Sequence, residues 1–146
     1  MKDLFVDNCA AKNFANPLDP EYKALVRWLM DEEGALVVSN KLLGEYGRTS
    51  GGCAGATNIW IVVKRLTDTG RLVKIQNCQL RAFVIPKRIS RRLQSNREDH
   101  VHIKTVLLSH RKYALTLDTK LCRDLKWYPG YSALAATRPQ DIPYRV

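Results

Sequence analysis

Short apolar runs alternate along this chain with stretches in which apolar residues recur every three or four positions. The runs read as buried strands and the recurrent stretches as helices with one face on a core. Leu4–Val6 is a strand that stops at Asp7. Tyr22, Leu25, Val26, Leu29 and Met30 then mark a helix, with Asp19 as N-cap, Pro20 at the first position and Gly34 just past the end. Ala35–Ser39 is a second strand, followed by a short helix capped by Asn40 and carrying Leu42, Leu43, Glu45 and Tyr46. After the small-residue loop RTSGGCAGATN, Asn58–Thr69 is a helix with Ile59, Val62, Val63 and Leu66 on one face and Gly70 as its stop. Leu72–Ile75 is a third strand. A basic, less regular stretch broken by Pro86 runs to Arg97, and a helix follows over Glu98–Arg111, with Ser95 and Glu98 in the spacing of a capping box. Tyr113–Leu117 is a fourth strand ending at Asp118, Thr119–Lys126 a helix, and Ser132–Thr137 a fifth, edge strand.

Strands that alternate with helices through short connections imply crossover units and a parallel sheet covered on both faces. The expected fold is therefore α/β: a three-layer α/β/α sandwich around a mainly parallel sheet of four or five strands, formed by residues 1–146 as a single domain. Open sheets of this kind bind ligands at the carboxyl ends of their strands. Asp7 and Asp118 fall at two such ends.

Composition adds a partner. Lys and Arg exceed Asp and Glu by 24 to 14, for a formal net charge of +10 and a pI near 9.7, which favours nucleic acid or an anionic surface. Cys9, Cys53, Cys78 and Cys122 are widely spaced and form no C-x-x-C pair, so they read as reduced thiols and not as a zinc site or disulfide framework. The opening MKDLFVDNCAAK carries too short an apolar stretch for a signal peptide, and no run approaches a membrane span. No membrane partner and a cytoplasmic location are expected.

Against that basic background, Asp7, Glu45, Asp99 and Asp118 each stand where a strand ends or beside the apolar stripe of a helix. Acids gathered at one sheet edge repel one another and persist with a cation among them. Mg²⁺ or Mn²⁺, hard ions that take oxygen ligands and often substrate phosphate oxygens, suit such a cage. Glu98 is assigned to capping and Asp99 to the cage, because Asp99 shares a helical face with Ile103, Val106 and Leu107. With Asn96 as the cap instead, Asp99 takes the capping position. Asp124 reads as a solvated helix residue, and Asp3 as an ordinary cap or turn residue.

These segments resemble the PIN-domain family of metal-dependent ribonucleases. LFVDNC is similar to its first acidic motif, KLLGEYGR to its second, EDHVHIKTVLL to its third and ALTLDTKLCRDL, with Thr116-x-Asp118, to its fourth, in the family's order and across essentially the whole chain. The resemblance implies an acidic pocket of Asp7, Glu45, Asp99 and Asp118 holding one or two Mg²⁺ or Mn²⁺ ions. It implies a metal-dependent endoribonuclease that hydrolyses RNA phosphodiesters, often the toxin of a toxin-antitoxin pair with an acidic antitoxin as partner, and leaves a homodimer open. Two departures stand out: Cys9, where the family often carries a small hydroxyl residue or Asn, and His100, His102 and Lys104, where small apolar residues are common.

Lys87, Arg88, Arg91 and Arg92, with Arg97, form a candidate phosphate track in PKRISRRLQSNR, since such contacts position a nucleic-acid backbone without reading sequence. A solvated helix face is the plainer reading of the same charges. His100 and His102 lack further spaced ligands for a zinc site, the SGGCAGAT loop lacks the ending of a nucleotide-binding P-loop, and Trp127, Tyr128 and Tyr131 read as packing more than as a stacking platform. The alternative to catalysis is a nucleic-acid-binding or protein-interaction module of the same fold.

Overall fold

The computed structural model describes residues 1–16, 18–49 and 58–146. The SGGCAGAT loop and Cys53 lie outside the described residues. In chain order the regular elements are β1 (Lys2–Val6), α1 (Asn8–Ala11), α2 (Pro20–Asp31), β2 (Gly34–Val38), α3 (Asn40–Thr49), α4 (Ile59–Asp68), β3 (Leu72–Lys74), α5 (Asn77–Ala82), α6 (Lys87–Ser90), α7 (His100–Leu108), β4 (Tyr113–Leu115), α8 (Thr119–Trp127) and β5 (Leu134–Ala136). Short 3₁₀ turns occupy Lys12–Ala15, Arg97–Asp99 and Pro139–Asp141.

The five strands form one all-parallel sheet in the order β3-β2-β1-β4-β5. Phe5 faces Val37 on one side and Ala114 on the other, so β1 is the central strand. Leu4, Phe5, Val6, Leu36, Val37, Val38, Ala114 and Leu115 are all buried, the near-continuous apolar composition expected of parallel strands covered on both faces. The order in which strands are added reverses between β1 and β4. Right-handed crossovers consequently put α1–α4 on one face and α5–α8 on the other; α2 and α4 pack together against β2, while α7 packs on α5 and α8. The α/β/α sandwich read from the sequence is the observed fold.

Local chemistry sets the element ends. Asp19 caps α2 by accepting from the Glu21 and Tyr22 amides at 3.0 and 3.3 Å, and Asn58 caps α4 through the Trp60 and Ile61 amides. Gly70, at φ +71°, turns the chain out of α4 so that the Arg71 amide reaches the Leu66 carbonyl at 2.8 Å. Gly34 is no helix stop. It opens β2, and its missing side chain admits the ring of buried Trp28, which a Cβ would meet at 2.6–2.8 Å. What holds the end of α2 is Arg71, whose guanidinium donates to the carbonyls of Leu29 at 2.6 Å and Gly34 at 2.7 Å.

Several polar residues take roles other than those read from the sequence. The cap of α3 is Ser39, whose hydroxyl accepts from the Leu42 amide at 3.1 Å, and not Asn40. The helix expected over Glu98–Arg111 begins at His100 and ends at Leu108. No capping box precedes it, because Ser95 is turned away to Asp124. Asp124 is fully buried and accepts from the amides of Gln94 and Ser95 and from the Ser95 hydroxyl, at 2.6–3.0 Å. Spacing could not reveal this, since the donors lie some thirty residues upstream of the acceptor. Asp3, likewise buried within β1, receives the amides of His110 and Arg111 at 2.8 and 3.0 Å.

Gly34→Ala should lower unfolding free energy by about 1–3 kcal/mol through overpacking against Trp28. Gly44→Ala, in α3 where a Cβ meets nothing within 4 Å, should instead raise it by about 0.5–1 kcal/mol. Urea unfolding followed by tryptophan fluorescence measures both.

Candidate metal centre

Site residues gather at the carboxyl ends of β1 and β4, in the crevice where the strand order reverses, which is where open parallel sheets bind ligands. The Asp7 amide donates to the Leu115 carbonyl at 2.9 Å, extending the β1–β4 pairing past the strand end. That bond fixes the Asp7 backbone, and α1 begins one residue later. The Asp7 carboxylate, 8% exposed, accepts from the Asn8 amide at 2.8 Å, the Thr116 hydroxyl at 2.8 Å and the Cys9 thiol at 3.4 Å. Thr116 also accepts from the Asp118 amide at 3.1 Å, so one buried hydroxyl ties the two strand ends together.

Cys9 fills the place in which the sequence departs from the PIN pattern. Its sulfur meets Asp7 and accepts from the Leu117 amide at 3.3 Å, much as a small hydroxyl could. Burial first, and then the neighbouring Asp7 charge, push the thiol pKa up, which keeps it protonated and a donor. Cys122 is buried and Cys78 exposed; both are free thiols.

Glu45 projects from α3, whose Tyr46 sits fully buried with its hydroxyl donating to the Val6 carbonyl. That anchor ties α3 to the residue before Asp7. Glu45 Oε1 lies 2.9 Å from Nε2 of His102, on α7 in the opposite helical layer. Donor atoms of Asp7, Glu45 and His102 all fall within 4.8 Å of one another. Burial raises the Glu45 pKa, but the His102 hydrogen bond, together with the nearby His102, Lys41 and Arg48, outweighs it, so the net shift is downward.

Asp99 occupies the position before α7 but makes no capping hydrogen bond. Lys41 holds its turn in place by donating to the Glu98 carbonyl. Burial raises the Asp99 pKa most; His102 and Lys41 pull it down, while Asp7 and Asp118 push it up further, for a net rise. Asp118 is half-buried and spends Oδ1 on the amides of Lys120 and Leu121, at 3.0 and 3.2 Å, as the cap of α8. Asp7 and Glu45 are thus brought to ligand distance of each other, Asp99 joins them within electrostatic reach, and Asp118 lies at the rim as a helix cap.

His102, which sequence reasoning set aside for want of further spaced ligands, joins Asp7 and Glu45 here. Its signal was the Asp99-x-x-His102 spacing, which puts an acid and an imidazole on one helix face, as in the i, i+3 pairs of carboxylate metal sites in helical bundles. The donor set fits a divalent ion: ligands about 2.1 Å from one octahedral ion stand roughly 3.0–4.2 Å apart, so small side-chain adjustments suffice. A buried Asp, Glu and His group here could hold a metal ion.

The basic segment is partly as read. Lys87, Arg88, Arg91 and Arg92 are all exposed, and among the described residues their side chains make no hydrogen bond or ion pair. Helix α6 is a single turn, so Arg91 and Arg92 lie beyond it. Tyr128 is buried and meets the ring of Phe83 at a tilt and that of Tyr131 edge-on, while Trp127 and Tyr131 are partly exposed. A groove of about 280 Å³ bordered by Glu21, Tyr144 and Arg145 lies near the amino ends of the strands, away from the acids. Among the described residues no helix is long and apolar enough to cross a membrane. No protein-family model, curated protein or solved structure matches the chain.

Because its carboxyl ionises less readily when folded, Asp99 penalises the native state once the pH exceeds the ordinary aspartate range, and costs nothing below it. In EDTA at neutral pH, Asp99→Asn should melt at a higher temperature than the parent, and the gap should close as the solution is acidified below that range. Differential scanning fluorimetry across pH reads the effect.

Proposed function

We propose that the protein is a metal-dependent endoribonuclease of the PIN-like kind, hydrolysing RNA phosphodiester bonds with Mg²⁺ or Mn²⁺. One observation carries the reading: buried Asp7 and half-buried Glu45 come to ligand distance, with Asp99, which makes no capping bond, in electrostatic reach, at the strand-order reversal of a parallel sheet, in a chain of net charge +10. Asp7, Glu45 and Asp99 would hold the ion, which supplies charge neutralisation at phosphorus and an activated water. Thr116 and Cys9 orient Asp7, and His102 braces Glu45. Lys41, beside Asp99, offers positive charge to an incoming phosphate. Lys87, Arg88, Arg91 and Arg92 draw and align the RNA backbone. An acidic antitoxin would be attracted by the same exposed charges.

A second reading, a non-catalytic RNA-binding or protein-interaction module of this fold, is favoured by Asp118, one of whose two carboxylate oxygens is engaged in capping α8. Under it, RNA binding survives EDTA and no cleavage accompanies it.

Incubation of single-stranded RNA with Mn²⁺ should give cleavage that falls about 100-fold or more in Asp7→Asn and Asp99→Asn, since losing an ion's stabilisation costs several kcal/mol at the transition state. Cleavage by both variants at the parent rate would refute the assignment. For the track, replacing Arg88, Arg91 and Arg92 with Ala should reduce the slope of log affinity against log salt by about 2, at roughly 0.7 per single-strand phosphate contact; an unchanged slope retires it.

A further inference from the structure

We infer that His102 is a positioning residue that holds the Glu45 carboxylate in place from outside the metal's ligand set. This rests on the metal-site reading above and adds to it the role of a residue at which the chain departs from the PIN pattern.

The argument turns on which ring nitrogen carries the proton. His102 is 1% exposed, packed with its ring 5.5 Å from that of Phe5. Its Nδ1 is buried and has no hydrogen-bond partner, whereas Nε2 stands 2.9 Å from Glu45 Oε1. An N–H at Nδ1 would be a buried donor without an acceptor, whereas a bare Nδ1 leaves a weaker deficit and frees the proton for a charge-assisted bond at Nε2. The ring is therefore the Nε2–H tautomer, donating to Glu45. A nitrogen that carries this proton presents no lone pair to a cation. Imidazoles that do bind metals nearly always donate their other N–H to an acceptor, and Nδ1 finds none. His102 and Glu45 also come from opposite helical layers, so their bond clamps α3 to α7 across the strand ends. The remaining donors are carboxylate oxygens, which suit Mg²⁺ and Mn²⁺ over Zn²⁺.

The test titrates the purified full chain with Mn²⁺, following the free-ion signal by electron paramagnetic resonance, and examines the bound ion by pulsed methods for ¹⁴N coupling. Expected are Mn²⁺ binding by the parent without directly coordinated nitrogen, affinity about 10- to 100-fold weaker in His102→Leu, and recovery of most of it in His102→Gln, whose amide can still donate to Glu45. Melting curves in EDTA report whether each variant is folded. Should His102→Leu fail to fold, the Gln variant and the nitrogen coupling of the parent still decide. Strong ¹⁴N coupling from a bound imidazole overturns the inference, as does parent-like affinity in folded His102→Leu; either leaves the metal site standing. Absence of Mn²⁺ binding by the parent would overturn both the metal site and this role.

Discussion

The structure depends on how negative charge is tolerated at the carboxyl ends of a buried parallel sheet. The reversal of strand order beside β1 opens a crevice there, and the connections leaving β1, β2 and β4 all pass its mouth. Acids at such a place lose hydration and repel one another. What keeps Asp7 in the crevice is a set of donors from its own turn and from β4, with Thr116 bridging to the next strand end. What keeps Glu45 there is His102. Asp99 has no such donor among the described residues, and its upward-shifted pKa expresses the deficit.

Counting donors separates two classes of acid in this molecule. Asp124 is saturated by the Gln94 and Ser95 amides and the Ser95 hydroxyl. Asp3 receives two amides, with the Arg111 guanidinium 3.9 Å away, and Arg111 in turn gathers the Tyr144 and Val146 carbonyls of the C-terminal segment. Both are deeply buried acids whose charge is satisfied locally, which is how a buried carboxylate stabilises a fold without external help. They fasten the amino ends of the strands and the long β3–β4 connection. In the crevice Asp7 is as well served, by three donors, whereas Asp99 makes no capping hydrogen bond. Asp7, Glu45 and His102 could hold a cation beside it.

Much of this was legible in the chain. Buried strands betray themselves as unbroken apolar runs, and α2, α4 and α8 carry their caps in sequence, so the layer order and the carboxyl-end location of Asp7 and Asp118 followed directly. Glu45 stood out because it flanks an apolar stripe. The missed features share one property: their reason lies in a partner on another element. Gly34 answers to Trp28 across a layer, Ser95 to Asp124, Asp3 to the turn before β4, and His102 to Glu45 fifty-seven residues upstream. Local rules assigned each of them a local purpose, a helix stop, a capping box, a turn, an unsupported ligand. Asp118 shows that one strand-end acid can face two ways: Oδ1 caps the helix that begins beside it, while its charge still reaches Asp99.

The clamp on Asp124 also relates the basic segment to the crevice. By fixing Gln94 and Ser95 against α8, it sets the point from which the chain runs through the Arg97–Asp99 turn into α7. Lys41 fastens the far end of that turn to α3. Arg91 and Arg92 thus stand just upstream of one anchored point, and Asp99 directly follows a second, Glu98. A backbone held at both places can present exposed cations and a half-buried acid in a constant relation, without either needing an ion pair of its own. Exposed guanidinium groups lose rotamer freedom when they bind, but the chain that carries them has already been ordered by folding. Exposed positive charge and half-buried negative charge can therefore coexist a few residues apart, because buried hydrogen bonds, and not attraction between the two, hold them where they are.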